Sequence, residues 1–166
     1  MTDLREIQAP LKERYRADPA AAEVTLTATG TLDEGIACSV RTAGAIASAG
    51  LHPATGGDGS LLCSGDMLLE ALAACAGVTL RAVATSLDVR VDGGTVTADG
   101  DLDFRGTLAV SNDAPVGFHS IRLRFDLDTR ATDEQLDTLL RLTERYCVVL
   151  QTLAGAPELS ASIKRA

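Results

Sequence analysis

The sequence predicts an α+β fold in which antiparallel sheets pack around two core helices. Three observations carry this. Residues 67–84 form a long, apolar, helix-favouring run. A second helical pattern starts at a capping signature at Thr132 and continues to Leu153. The segments around both alternate apolar and polar residues, as half-buried strands do. The resulting order is helix, strands, long helix, strands, helix, strand. That order groups the strands, whereas a doubly wound sheet would alternate them with helices.

The bulk numbers agree with one domain over residues 1–166, a helical arm at 1–19 and a core at 20–166. A chain of 166 residues buries roughly 70% of its unfolded surface, so it needs no disulfide or metal staple. Apolar residues make up 46% and aromatic residues 3%, with no Trp, so the core is built from Leu, Val, Ile and Ala. The net charge of −8 and the lack of a basic patch argue against a nucleic-acid partner. Met1-Thr-Asp-Leu-Arg-Glu-Ile-Gln8 lacks the basic-then-apolar order of a signal peptide. Residues 67–84 carry Glu70 and Arg81 with Asp66 at their edge, so a buried core helix is expected there and no membrane partner. A cytoplasmic location follows as the expectation. In a reducing compartment Cys38, Cys63, Cys75 and Cys147 point to catalysis or burial ahead of a disulfide framework.

The elements follow in chain order. Leu4, Ile7 and Leu11 make a weak helical stripe within residues 3–16, ending near Asp18-Pro19. Residues 23–29 alternate and are rich in β-branched side chains, which reads as a strand. Residues 30–35 supply a turn, and 36–41 return as a strand with Ile36, Cys38 and Val40 on one face. A third strand is expected around 45–49. The glycine-rich loop 50–60 is long enough to be functional, but it lacks the Gly-Lys-Ser/Thr ending of a phosphate loop. In the long helix, with Ser64 or Asp66 as N-cap, Leu68, Leu72, Cys75, Thr79 and Val83 share a face, and Leu69, Ala73, Ala76 and Leu80 make further faces apolar. Strands are expected at 87–91, 94–106 and 117–128, broken at Asp92-Gly-Gly94 and at 111–115. In the last of them Ile121, Leu123, Phe125 and Leu127 alternate with charged residues. Thr132-Asp-Glu-Gln135 is a capping box opening a helix with Leu136, Leu139, Leu140 and Thr143 inward. The same spacing carries Cys147 onto that face. Residues 158–164 read as a final strand.

Cys75 and Cys147 are the candidates for chemistry, because two thiols on core faces of two helices form a redox pair if the fold brings them together. Each also fits a simpler role as a small hydrophobe, and both readings stand on spacing alone. Cys38 alternates inward on its strand, and Cys63 precedes the long helix as an exposed thiol or an alternative redox partner. His52 and His119 show no zinc-ligand spacing with the cysteines, and no G-x-S-x-G elbow supports serine hydrolysis. Arg14, Arg16, Arg41, Arg81 and Arg145 are the cations available to a thiolate.

Gly56-Gly57, then Ser64-Gly-Asp-Met-Leu-Leu-Glu-Ala-Leu-Ala-Ala-Cys75 with Val78-Thr-Leu-Arg81 after it, resembles the central helix of the OsmC/Ohr family, the osmotically inducible and organic hydroperoxide resistance proteins. Glu144-Arg-Tyr-Cys147 and Thr152-Leu153 resemble its second cysteine motif. The likeness in element order runs from about Glu23 to Lys164. It implies an intertwined homodimer with active sites at the subunit interface. It also implies a peroxidase active in oxidative stress defence. Cys75 would attack an organic hydroperoxide and become a sulfenic acid, Cys147 would close a disulfide with it, and an external dithiol would reduce that disulfide. No metal, flavin or other cofactor is implied.

The chain also departs from the family pattern. The efficient peroxidases of the family place an Arg in the first hairpin turn and a Glu near the start of the long helix. Here residues 30–35 hold no Arg, Gly65 stands at the Glu position, Ser64 replaces a Pro, and Val148 follows the second cysteine where Pro is common. Arg14 or Arg16 is the expected substitute for the Arg, and Asp66 for the Glu. The alternative reading is an OsmC-fold dimer that binds or senses a small apolar or thiol-reactive ligand without efficient peroxidase activity.

Overall fold

The computed structural model describes residues 30–32, 37–41, 46–109 and 111–165, together with Gln8, Pro10, Glu13, Ala17 and Asp18. Gln8, Pro10, Glu13 and Ala17 are helical, within or next to the expected N-terminal stripe. The expected strand at 23–29 and the residues Arg14 and Arg16 lie outside the described residues.

A four-stranded sheet holds β1 (Gly30–Leu32), β2 (Ala37–Arg41), β3 (Ile46–Gly50) and β4 (Leu62–Cys63), in that order. β1 pairs antiparallel with β2, placing Gly30 opposite Val40, and β2 pairs antiparallel with β3, placing Ala37 opposite Gly50. Gly30 to Leu32, expected in a turn, is therefore strand. β4 differs from the all-antiparallel expectation, since it runs parallel to β3 with Gly50 opposite Cys63. Loop 51–61 makes this possible, because a parallel pairing needs a long return connection. The loop is not structureless. His52 Nδ1 accepts from the Ala54 N–H at 3.1 Å, capping a single 3₁₀ turn at Pro53–Thr55. Gly56 then ends that turn at φ 95°, a conformation that favours glycine.

Helix α1 (Ser64–Leu87) starts at Ser64, so both expected caps fall inside its first turn. Its length and apolar composition would suffice to span a bilayer, but it carries a buried stripe of Leu72, Ala76, Leu80, Val83 and Ala84. The stripe is rotated from the expected face: Cys75 and Thr79 are half-buried and Leu68 is exposed. The helix also runs through the start of the expected strand at 87–91. Asp88 at φ 56° reverses the chain, and the Val89 N–H reaches the Ala84 carbonyl at 2.9 Å, as in a Schellman ending.

β5 (Val91–Leu102) and β6 (Phe118–Thr129) form a second sheet. Thr129 bonds the Arg90 carbonyl at 2.5 Å, while Gly100 faces Phe118, so the two strands run antiparallel. The expected break at 92–94 is strand. Gly94, at φ 145°, lets the backbones approach so closely that a Cβ there would collide with the Asp126 carbonyl. β5 stops short of the expected 106, because Asp103 caps the short helix α2 (Phe104–Thr107). The alternation along β6 holds, with Ile121, Leu123, Phe125 and Leu127 half-buried between exposed charged neighbours.

Helix α3 (Asp133–Tyr146) opens with the complete Thr132–Gln135 capping box. Leu139 and Thr143 face inward, but Leu140 is 43% exposed and Leu142 packs on the core in its place. The helix does not persist to Leu153. Cys147 ends it, and α4 (Val148–Ala154) follows. Residues 158–164 form no strand, and Leu159 and Ile163 are almost fully exposed.

The chain divides into two compact units, one of residues 1–70 and 97–124, the other of 71–96 and 125–166. The second holds a core of Leu80, Val83, Ala84, Val89, Val91 and Leu139, with Phe125, Leu127 and Leu136 packed against it. Fully burying a residue such as Leu139 contributes about 1.5–3 kcal/mol.

Candidate active site

Within the second unit, Cys147 serves two helices at once. Its N–H bonds the Thr143 carbonyl at 2.9 Å, closing α3, and its carbonyl accepts from the Gln151 N–H at 2.9 Å, opening α4. The backbone at φ −72° and ψ 106° makes the corner. The Gln151 side chain steadies it by donating to the Glu144 carbonyl at 2.9 Å. This corner leaves the first N–H groups of α4 without an intrahelical acceptor.

Those groups serve Cys75. Its half-burial pushes the thiol up, but the Val149 N–H, the Cys147 thiol, the Thr79 hydroxyl and the Val148 N–H outweigh burial and hold it below the ordinary value. Cys147, fully buried, moves the other way. Burial pushes it up, the Leu150 N–H approaches its sulfur and opposes the shift without closing a cap bond, and Cys75 pushes it further up. The two sulfurs are therefore in contact and unequal, Cys75 being the more readily ionised of the two. A thiol that ionises ahead of its neighbour suits a nucleophile and its resolving partner.

Every group that lowers Cys75 is uncharged. Arg81 donates to the Val91 carbonyl at 2.6 Å, and the Arg145 guanidinium lies 5.5 Å over the Tyr146 ring. Val148 supplies one of the N–H donors, which a Pro at that position would not have. Its side chain, largely exposed, also walls an open groove of about 480 Å³ with Arg145, Tyr146, Gln151, Thr152 and Pro157. The groove thus shares Val148 with the donors to Cys75, while neither cysteine lines it.

The remaining candidates lie elsewhere. Half-buried Cys63 lines a cavity of about 330 Å³ in the first unit with His52, Asp66, Phe104 and Phe118. The His52 ring stacks on Phe104 at 4.9 Å. Asp66 thus lines this first-unit cavity. His119 is exposed on β6. Cys38 pairs with Ala49 across β2 and β3. No cluster of His, Cys, Asp or Glu suited to a metal ion occurs among the described residues.

Sequence reasoning missed the donors. Backbone N–H groups carry no residue signature, and the one available hint was Val148 in place of Pro. It placed the two threonines, each one helical turn from a cysteine, on the cysteine faces but gave them no role. Thr79 serves Cys75, whereas the fully buried Thr143 hydroxyl has no hydrogen-bond partner among the described residues, at a cost of about 1–3 kcal/mol.

The profile of the OsmC-like protein family matches residues 57–162. An OsmC-like protein from Mycoplasma pneumoniae superposes with a TM-score of 0.68 at 16% identity, covering 81% of this chain and 90% of that one. An organic hydroperoxide resistance protein from Elizabethkingia anophelis gives 0.65 at 15% identity, covering 81% and 92%. A Legionella pneumophila protein described as organic hydroperoxide resistance protein OsmC gives 0.60 at 14% identity, covering 80% and 93%. No curated protein sequence matches. The fold is the α+β arrangement those structures share, and the chain belongs to the OsmC-like protein family.

Proposed function

We propose that this protein is a thiol-dependent peroxidase that reduces organic hydroperoxides in oxidative stress defence, as a cytoplasmic homodimer. The observation that carries the reading is the contact between Cys75 and Cys147, with uncharged donors outweighing burial at the Cys75 sulfur and not at Cys147. Family membership and neighbours named for organic hydroperoxide resistance support it.

The Cys75 thiolate attacks the terminal oxygen of the hydroperoxide. An S–O bond forms, the O–O bond breaks, and the alkoxide leaves as the alcohol after taking a proton. The groove walled by Tyr146, Val148 and Pro157 gives an alkyl group an apolar surface at Val148, whose N–H acts on the Cys75 sulfur. Cys147 then attacks the Cys75 sulfenic acid. The S–S bond forms, the S–O bond breaks, and the hydroxyl leaves as water with the Cys147 proton. An external dithiol reduces the disulfide by thiol exchange.

Stopped-flow oxidation with cumene hydroperoxide tests this. Wild type should consume peroxide rapidly, Cys75→Ser should not, and Cys147→Ser should oxidise once and stop as the sulfenic acid. Consumption no faster than by free cysteine would sink the peroxidase and leave ligand binding or sensing in its place. A dominant Cys63–Cys75 bridge in non-reducing mass spectrometry would overturn the role of Cys147.

A further inference from the structure

The two threonines beside the thiols are used unequally. Thr79, one turn after Cys75 on α1, places its hydroxyl against the Cys75 sulfur. Thr143, one turn before Cys147 on α3, is completely buried and its hydroxyl bonds nothing among the described residues. Thr143 and Cys147 nevertheless share one helical face, because the Cys147 N–H still bonds the Thr143 carbonyl and its φ is helical. Only ψ departs, and ψ redirects the chain after Cys147 without moving its side chain. Residues spaced i and i+4 on a helix hold their Cβ atoms about 5–6 Å apart, and a helical Thr can occupy two χ1 wells. A single rotation therefore brings the hydroxyl toward the Cys147 sulfur.

We propose that Thr143 is a third catalytic side chain, used only in the second half of the cycle, where its hydroxyl donates to the Cys147 sulfur as that sulfur attacks the Cys75 sulfenic acid. The inference rests on the peroxidase reading above. In the reduced protein the Cys147 thiol bonds Cys75, the sulfur that must ionise, and a further donor on Cys147, beyond the Leu150 and Val149 N–H groups, would favour ionisation of the wrong thiol. Once the hydroperoxide has oxidised Cys75, the demand reverses. Cys147 must release its proton, which departs with the sulfenic hydroxyl as water, while its electron pair forms the S–S bond. Charge builds on a sulfur with no water around it, and the unused hydroxyl is the buried donor one turn away. Its lack of a partner in the reduced state fits a group held for the later step, since native proteins seldom leave such a hydroxyl unbonded.

The full-length reduced protein is mixed with cumene hydroperoxide and quenched at intervals, and mass spectrometry follows the Cys75 sulfenic acid and the Cys75–Cys147 disulfide separately. Thr143→Val, close in shape, should slow conversion of sulfenic acid to disulfide about tenfold, the effect of one hydrogen bond to a charged group. Thr143→Ser keeps the donor and should recover most of that rate. Cys75 oxidation should stay within about twofold of wild type in both, which shows that the fold survives and separates the two steps. Disulfide closure at the wild-type rate in Thr143→Val, or Thr143→Ser as slow as Thr143→Val, overturns the inference and leaves the peroxidase intact. A wild type that forms no sulfenic acid removes both.

Discussion

The unit of residues 71–96 and 125–166 buries Leu72, Ala76, Leu80, Val83, Leu139, Thr143 and Cys147, whereas in the unit of residues 1–70 and 97–124 Ala114 alone is buried among the residues whose side chains are described. Each carries a thiol near open space. In the former unit Cys75 meets Cys147 and two backbone N–H groups, one of them from Val148, which also walls a groove. In the other, Cys63 lies beside a cavity with a stacked His52–Phe104 pair. An open cavity gives access to a sulfur without orienting a partner for it. Close packing fixes two sulfurs against each other, and that fixed contact makes the Cys75 site the stronger candidate for chemistry.

The contrast is tested most severely by Leu139→Ala. Leu139 is 1% exposed and lies in the core cluster, so deleting its side chain should cost about 3 kcal/mol. Leu62, in the two-residue strand β4, is 43% exposed, and Leu62→Ala should cost less than about 1 kcal/mol. Urea unfolding midpoints measure both. Equal losses would mean that the two units do not differ in the way their burial indicates. Alkylation of Cys147 in the folded Leu139→Ala protein should also accelerate, because the packing that covers it loosens.

A smaller effect tests the part of this unit that was most legible in sequence. Thr132 and Gln135 identify the start of α3, and the structure closes both bonds of the box, Gln135 N–H to the Thr132 hydroxyl at 3.3 Å and Thr132 N–H to the Gln135 side chain at 2.9 Å. Thr132→Ala should lower stability by about 1 kcal/mol, and a midpoint unchanged in urea would remove the cap from the account. The alternation of β6 was legible for the same local reason, as each side chain reports its own face.

What sequence did not reveal depends on backbone geometry. No Gly or Pro marks the corner at Cys147, yet α3 ends there. Asp88 adopts a left-handed conformation that its residue type only permits, which carries α1 on to Leu87. Gly94 reads as a turn residue but serves a close strand approach. In the site, the cysteines were found through their helices and their family-like spacing. Their inequality was not, because it comes from N–H groups and from which threonine bonds which sulfur.

The finest test of that inequality is Val148→Pro. Proline suits the first position of a helix, and the residue before it must be extended, as Cys147 already is at ψ 106°. The substitution therefore removes one N–H from the Cys75 sulfur while preserving the corner. Cys75 is held below 9.0 partly by that donor, the weakest of those acting on it. Its loss should move the thiol up, by less than losing the Val149 N–H would. At any pH below the midpoint a raised pKa means less thiolate, so alkylation and peroxide attack should both slow slightly, while Cys147 stays the thiol that alkylates only at higher pH. Peptide-resolved alkylation from neutral to alkaline pH gives both midpoints. If Cys75 does not move, or if wild-type Cys147 ionises first, the corner is not what makes the two sulfurs unequal.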